Sequence, residues 1–98
     1  NKEITSIICS TPYTAIGVIN ACKKLNKKIG EDISVISYGG SVIEYFNSPP
    51  ITTVSLPLKE LGEKAIEILY ETEKNKKNVR NFLAKSTITE RDSVKTLK

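Results

Sequence analysis

The stretch from Glu31 to Pro57, EDISVISYGGSVIEYFNSPPITTVSLP, constrains the fold of this chain more than any other segment. Its apolar run over residues 33–38 predicts a strand, and Gly39-Gly40 stands where that strand should end. Glycines at a strand end let the backbone turn sharply or approach a ligand closely. Because ligands of parallel α/β sheets bind outside the carboxyl ends of the strands, we expect a site near this turn.

The remaining segments alternate between strand and helix patterns. Thr11-Pro12 predicts the start of a helix, because a hydroxyl residue caps the helix and proline fits its first position. A second helix start is predicted at Leu56-Pro57-Leu58. The other predicted elements are strands over 4–9, 51–55 and 82–88, a loop or short helix over 41–48, and helix ends near Asn26 and Lys76. The predicted fold class is therefore α/β, a mostly parallel sheet with flanking helices in the order β-α-β-loop-β-α-β.

The chain carries a modest excess of positive charge, with 15 basic against 11 acidic residues among 98. Many basic residues fall in two clusters, one over residues 23–28 and one over residues 74–80. Such clusters fit either a nucleic-acid footprint or solvated helix ends, where lysines complement the helix dipole. We favour helix ends, because no interleaved aromatic residues or recognition motif accompany the lysines.

The residue types argue against catalysis and against a resident metal or cofactor. The chain contains no histidine, which excludes a histidine-based triad or imidazole metal site within it. Gly39-Gly40 is only a pair and forms no phosphate-binding loop. Cys9 and Cys22 lack metal-site spacing and are predicted to be buried reduced thiols. No apolar run reaches the roughly 18–20 residues that cross a bilayer, so we predict no catalytic residue, no metal, no cofactor and no membrane contact.

The order of motifs resembles one known family. EDISVISYGG, a proline pair with ITTV, LPLKELGEKAIEIL and a strand ending in ERDS follow one another as in LacI/GalR-type transcriptional regulators, and CSTPYTAIG resembles the preceding strand-to-helix junction. The similarity covers nearly the whole chain. The resemblance implies the C-terminal part of an effector-binding region with a periplasmic-binding-protein-like (type I) fold.

That resemblance implies a domain organisation. Residues 1–56 and 82–93 would belong to the C-terminal effector-binding and dimerisation lobe, and residues 57–81 would be a crossover helix on the N-terminal lobe. Because the chain does not begin with methionine, we expect it to be a piece of a longer protein. The implied protein is a cytoplasmic homodimer that binds a small-molecule effector, such as a sugar or related metabolite. It would bind DNA only through a helix-turn-helix domain outside this chain.

The resemblance and the carboxyl-end rule together predict the rim of the effector cleft. The predicted residues all lie at strand ends or in the following turns: Thr11, Tyr13, Tyr38, Gly39, Gly40 and Leu56. The family commonly has Asn-Asp where this chain has Thr11-Pro12, and an aspartate where it has Gly39. The absence of those polar groups implies that the effector is not a sugar, that the missing lobe recognises it, or that the response to an effector has been lost. The alternative interpretation of Gly39-Gly40 is a tight turn without a role in binding.

Three residues are predicted at a homodimer surface from the same resemblance: Ile16, Ile19 and Phe46. For Ile19, ordinary core packing is an equal alternative. Gly17, in the interior of the same helix, predicts close packing against a neighbour, since glycine there costs about 1 kcal/mol relative to alanine.

Two other functional classes are open. The sugar-binding component of an ABC transporter shares the fold, although the ERDS ending favours the regulator. A stand-alone dimerisation module is the third reading. A helix-turn-helix start or a lipoprotein signal upstream of the chain would separate the first two. If the crossover helix lacks its lobe, its apolar stripe predicts either folding back over the sheet or exchange with a second copy, and we favour exchange.

Overall fold

The computed structural model describes residues 3–75 and 81–97 of the chain and divides it into two compact units. The first unit comprises Asn1–Ser55 with Thr87–Lys98, and the second comprises Leu56–Ser86. The elements are β1 (Ser6–Cys9), α1 (Pro12–Lys24), β2 (Ser34–Gly39), α2 (Val42–Phe46), β3 (Thr52–Ser55), α3 (Leu58–Asn75) and β4 (Thr87–Thr89). The predicted α/β class and element order are confirmed.

The first unit is built on one sheet with strand order β1-β2-β3-β4. Strands β1, β2 and β3 run parallel, and β4 pairs antiparallel with β3. The register places Ile8 opposite Ile36 and Tyr38 opposite Val54. The carboxyl ends of the three parallel strands therefore meet at one edge of the sheet.

Helix α1 covers one face of that sheet and forms the core with it. Thr11 caps the helix as predicted, accepting a hydrogen bond from the Thr14 N–H, and Pro12 occupies the first turn. The core residues come from α1, β1, β2 and the approach to β3: Cys9, Ala15, Ile19, Val35 and Ile51. Cys9 and Cys22 are both buried free thiols, as the sequence predicts.

The face of the sheet opposite α1 is largely open in this chain. Ile8 is 77% exposed and Ile88 is 68% exposed, whereas Val35 and Ser37, on the α1 side, are fully buried. The burial of β2 therefore alternates between its two faces along Val35–Tyr38. Alternation of this kind is typical of a sheet that is covered on one side only.

The segment around Ser93 forms a wedge between the beginnings of β2 and β3, at Val35 and Thr52, next to the point where the two strands start to pair. The Val35 N–H donates to the Ser93 carbonyl at 2.8 Å, and the Ser93 hydroxyl donates to the Val35 carbonyl at 2.6 Å. On the other side, the Thr52 N–H donates to the Ser93 hydroxyl at 2.8 Å. Two residues further on, the Lys95 N–H donates to the Ser34 hydroxyl at 2.9 Å.

Two expectations are corrected. The last strand covers only Thr87–Thr89, and residues 82–86 are not strand. Gly17 does not pack closely, because a Cβ there would meet no atom within 4 Å. Local apolar content predicted the longer strand, and the cost of glycine in a helix interior predicted the close packing at Gly17. Pairing with β3 extends only over Thr87–Thr89, and no neighbouring atom approaches Gly17.

The second unit contains α3, an amphipathic helix of 18 residues. Among its apolar residues, Leu61 and Ile68 are half-buried, while Leu58 and Leu69 are mostly exposed. Ion pairs on its polar face join Lys59 to Glu63 and Lys64 to Glu67. The end predicted at Lys76, like part of the second basic cluster, lies outside the described residues.

Candidate functional site

The turn after β2 lies beside the beginning of α1. Gly39 and Gly40 have φ angles of +145° and +95°, a region that residues with side chains rarely adopt. A Cβ at Gly39 would lie 3.4 Å from the Pro12 Cδ, and a Cβ at Gly40 would lie 3.2 Å from Ser55 atoms. Glycine is therefore required at both positions by backbone conformation, and close packing adds to the requirement at Gly40.

Two tyrosines stand near this edge with exposed side chains. Tyr13, in the first turn of α1, is 74% exposed, and Tyr38, near the end of β2, is 44% exposed. Aromatic rings that are exposed in this way offer apolar stacking surface and a hydroxyl that donates or accepts. The edge therefore combines aromatic rings, hydroxyl groups and backbone. The predicted rim residues include no Asp, Glu, Lys or Arg.

The other predicted rim residues, Thr11 and Leu56, lie in different units of the structure. The Thr11 hydroxyl serves as the helix cap and lies 3.0 Å from the Thr14 hydroxyl, so part of its hydrogen-bonding capacity is used locally. Leu56 directly follows β3 and belongs to the second compact unit. The structure thus brings Thr11, Gly39 and Gly40 to one edge of the first unit.

A buried polar network behind the turn was missed by sequence reasoning. Glu44, on α2, is fully buried, and its carboxylate accepts hydrogen bonds from the N–H groups of Gly40 and Ser41 at 3.1 and 2.6 Å. The Thr53 hydroxyl donates to its second oxygen. The only sequence signal was Ser41 followed three residues later by Glu44, the spacing of a capping box. That box is present in α2.

The dimer residues are placed unequally, and one prediction is corrected. Ile19 is 1% exposed and belongs to the core cluster of the first unit, so it has no surface to offer a partner. Ile16 is half-buried against the same core. Phe46 is 78% exposed and packs edge-on against the neighbouring Tyr45 ring at 5.1 Å between centroids. Ile16 and Phe46 stay predictions.

The basic cluster at the end of α1 lines an open groove of about 600 Å³ together with Ser48 and Pro49. The Lys23 ammonium donates to the Ser48 carbonyl at 2.8 Å, and Lys28 pairs with Glu31 at 3.6 Å. These local partners agree with the interpretation of a solvated helix end. The groove lies at the C-terminal end of α1, whereas the predicted rim includes the beginning of that helix.

The described residues offer neither a metal site nor a membrane-spanning helix. Within 3–75 and 81–97, no group of three or more His, Cys, Asp or Glu side chains is arranged to hold a metal ion. Over the same ranges, no helix is long and apolar enough to cross a membrane.

Comparisons with known proteins cover almost the whole chain. Residues 3–94 match the sequence profile of the periplasmic binding protein-like domain. The chain is 37% identical over 98 residues to the HTH-type transcriptional repressor PurR of Vibrio cholerae, an alignment that covers 99% of this chain and 29% of the relative. The chain therefore spans less than a third of the length of this curated relative.

Solved structures give the same fold. The transcription regulator CcpA of Lactococcus lactis superposes with a TM-score of 0.81 at 30% identity, covering 93% of this chain and 34% of the other. A transcription regulator from Lactobacillus plantarum superposes with a TM-score of 0.88 at 24% identity, covering 99% and 38%. At that lower identity the likeness concerns the fold alone.

Proposed function

The chain belongs to the periplasmic binding protein-like domain family, and from this premise we propose that it forms part of the effector-binding and dimerisation region of a ligand-responsive transcriptional repressor of LacI/GalR type. The observation that carries the proposal is the 37% identity to a transcriptional repressor along the whole chain. The motif order from CSTPYTAIG to ERDS agrees with it.

In the proposed protein, the edge formed by the end of β2 and the start of α1 is one wall of the effector cleft. Tyr13 and Tyr38 supply exposed rings and hydroxyls, and Gly39-Gly40 supplies backbone. Thr11 belongs to the same wall, and Leu56, directly after β3, is a further residue that we assign to effector binding. The effector is a small molecule, and we assign the chain no catalytic role.

The remaining parts of the proposal concern the longer protein. Residues 1–56 and 82–93 form the C-terminal lobe, and residues 57–81 cross over to the N-terminal lobe. Ile16 and Phe46 contact a second copy in a homodimer, for which the 78% exposure of Phe46 is suitable. DNA is bound by a helix-turn-helix domain outside this chain, in the cytoplasm.

The transporter component is the alternative with the same fold, and the comparisons do not favour it, because the reported relatives are named as transcription regulators. The two classes differ in one property that is simple to measure. A regulator selects specific DNA sequences and changes that affinity with its effector, whereas a transport component binds its ligand without selecting DNA.

The proposal is tested by selecting genomic DNA fragments with the purified longer protein that carries this chain. We expect enrichment of a few sequences with two-fold symmetry, because a dimer reads two half-sites. A panel of sugars and nucleobases is then screened for compounds that change binding to the enriched fragment. Absence of sequence-selective DNA binding at low as well as physiological salt, both without added compound and with each compound of the panel, would reject the regulator.

The cleft assignment is tested with hydroxyl deletions in the same assay. Tyr38→Phe should reduce the response to the active compound by about 3- to 10-fold, the usual worth of one hydrogen bond. Tyr45→Phe is the matched control, because Tyr45 is also exposed but lies on α2 beside Phe46. Equal effects of the two substitutions would place the effector elsewhere.

A further inference from the structure

Glu44 stands out because a carboxylate is seldom fully buried without a cationic partner. Among the described residues, no lysine or arginine nitrogen lies close enough to the Glu44 carboxylate to form a salt bridge. Three hydrogen-bond donors surround it instead: the N–H groups of Gly40 and Ser41 on one oxygen, and the Thr53 hydroxyl on the other. Three hydrogen bonds to a carboxylate offset much of the free-energy cost of burying it.

Arg91 holds the far side of the same network. Its guanidinium donates to the Thr53 hydroxyl at 2.9 Å and to the Ile51 carbonyl at 2.6 Å. It also lies 5.9 Å from the centroid of the Tyr45 ring, on the helix that carries Glu44. Thr53 is therefore held from two directions, and the residue that orients the Glu44 carboxylate has little freedom to turn.

The network determines which backbone groups the turn can offer. Gly40 and Ser41 would otherwise present two adjacent N–H groups, an arrangement that binds anions. Here the Glu44 carboxylate occupies both of them from inside the protein. Because both N–H groups already have an acceptor, an incoming anion would find neither donor free at the turn.

We propose that Glu44 is a positioning residue of the effector cleft: its carboxylate holds the Gly39-Gly40 turn in place and makes the turn select a ligand group that donates hydrogen bonds over an anionic group. The proposal rests on the proposed function in one respect, since that function makes the turn part of a cleft. The hydrogen bonds themselves can be tested without any ligand or DNA.

The experiment is residue-resolved hydrogen exchange on the longer protein that carries this chain. In Glu44→Ala, exchange of the Gly40 and Ser41 amides should become about tenfold faster, the factor for loss of one ordinary hydrogen bond. Glu44→Gln keeps an acceptor oxygen and should restore exchange most of the way. Glu31→Ala, which removes an exposed carboxylate of the same unit, should leave these amides unchanged.

Thr53→Val is the second variant, and it applies even if Glu44→Ala does not fold. It keeps the buried shape and removes the hydroxyl that donates to the carboxylate, so exchange of the two amides should again become faster. Unchanged exchange in both Glu44→Ala and Thr53→Val would overturn the positioning role. If Glu44→Ala is unfolded, the result with Thr53→Val decides.

Inorganic phosphate is the probe for anion rejection. In the wild-type protein, phosphate should leave the exchange of Gly40 and Ser41 unchanged, and saturable protection of these amides would overturn the proposal. Because every measurement is made without effector or DNA, failure of the regulator assignment leaves this result intact. Conversely, unchanged amides in the variants would refute Glu44 while DNA selection still succeeds.

Discussion

Two buried serines of the first unit should respond oppositely to replacement by alanine: one replacement should lower the stability of the protein and the other should not. Ser37 and Ser93 are both fully buried. The Ser93 hydroxyl donates to the Val35 carbonyl and accepts from the Thr52 N–H. The Ser37 hydroxyl has no hydrogen-bond partner among the described residues. Replacement by alanine removes one oxygen in each case.

The expected cost of Ser93→Ala follows from the groups that it leaves behind. It strands a carbonyl and an N–H, and each buried unsatisfied group costs about 1–3 kcal/mol. We expect a loss of about 2–4 kcal/mol in the free energy of unfolding, after some relaxation of the wedge. Ser37→Ala strands nothing and removes a buried unpaired hydroxyl, so it should be neutral or stabilising by up to about 1 kcal/mol.

Urea denaturation followed by circular dichroism measures both variants, with the change in midpoint multiplied by the slope. A loss of this size is a large part of the about 5–15 kcal/mol that stabilises a typical domain. Equal losses in the two variants, or a Ser93→Ala protein as stable as the wild type, would refute the account of how the wedge is held.

Two further predictions concern Gly30 and Cys9. Gly30→Ala should destabilise the protein by at least about 2 kcal/mol, because φ is +85° and the new Cβ would lie 2.4 Å from the Asp92 carbonyl oxygen; a urea midpoint within error of the wild type would contradict this. Burial raises the pKa of the Cys9 thiol, so the unfolded chain ionises first and stability should fall as the pH rises above about 8.5. The fall should be smaller in Cys9→Ala, and an identical pH dependence in both proteins would exclude this cause.

Sequence alone determined the features that depend on neighbouring residues. Thr11-Pro12 specifies a helix start because the cap hydroxyl and the proline act within one turn. The alternation of strand and helix signals was sufficient for the fold class, and the motif order was sufficient for the family. Gly39-Gly40 marked a turn with positive φ angles.

Tertiary structure decided what depends on distant parts of the chain. Ile19 and Leu25 are both apolar, yet Ile19, within α1, is 1% exposed and Leu25, the C-cap residue that follows the helix, is 72% exposed. The difference depends on where the helix ends over the sheet, which periodicity does not specify. Likewise, only the three-dimensional packing shows that β4 is short and that one face of the sheet is open.

The polar network is the clearest case of this limit. Glu44 reads in the sequence as an ordinary capping residue, and Ser93 reads as the end of a motif. Their buried roles require Thr53 and Val35, which lie 9 and 58 positions away in the chain. Hydrogen bonds over such separations form only when β2, β3 and the C-terminal wedge are assembled, so no local pattern encodes them.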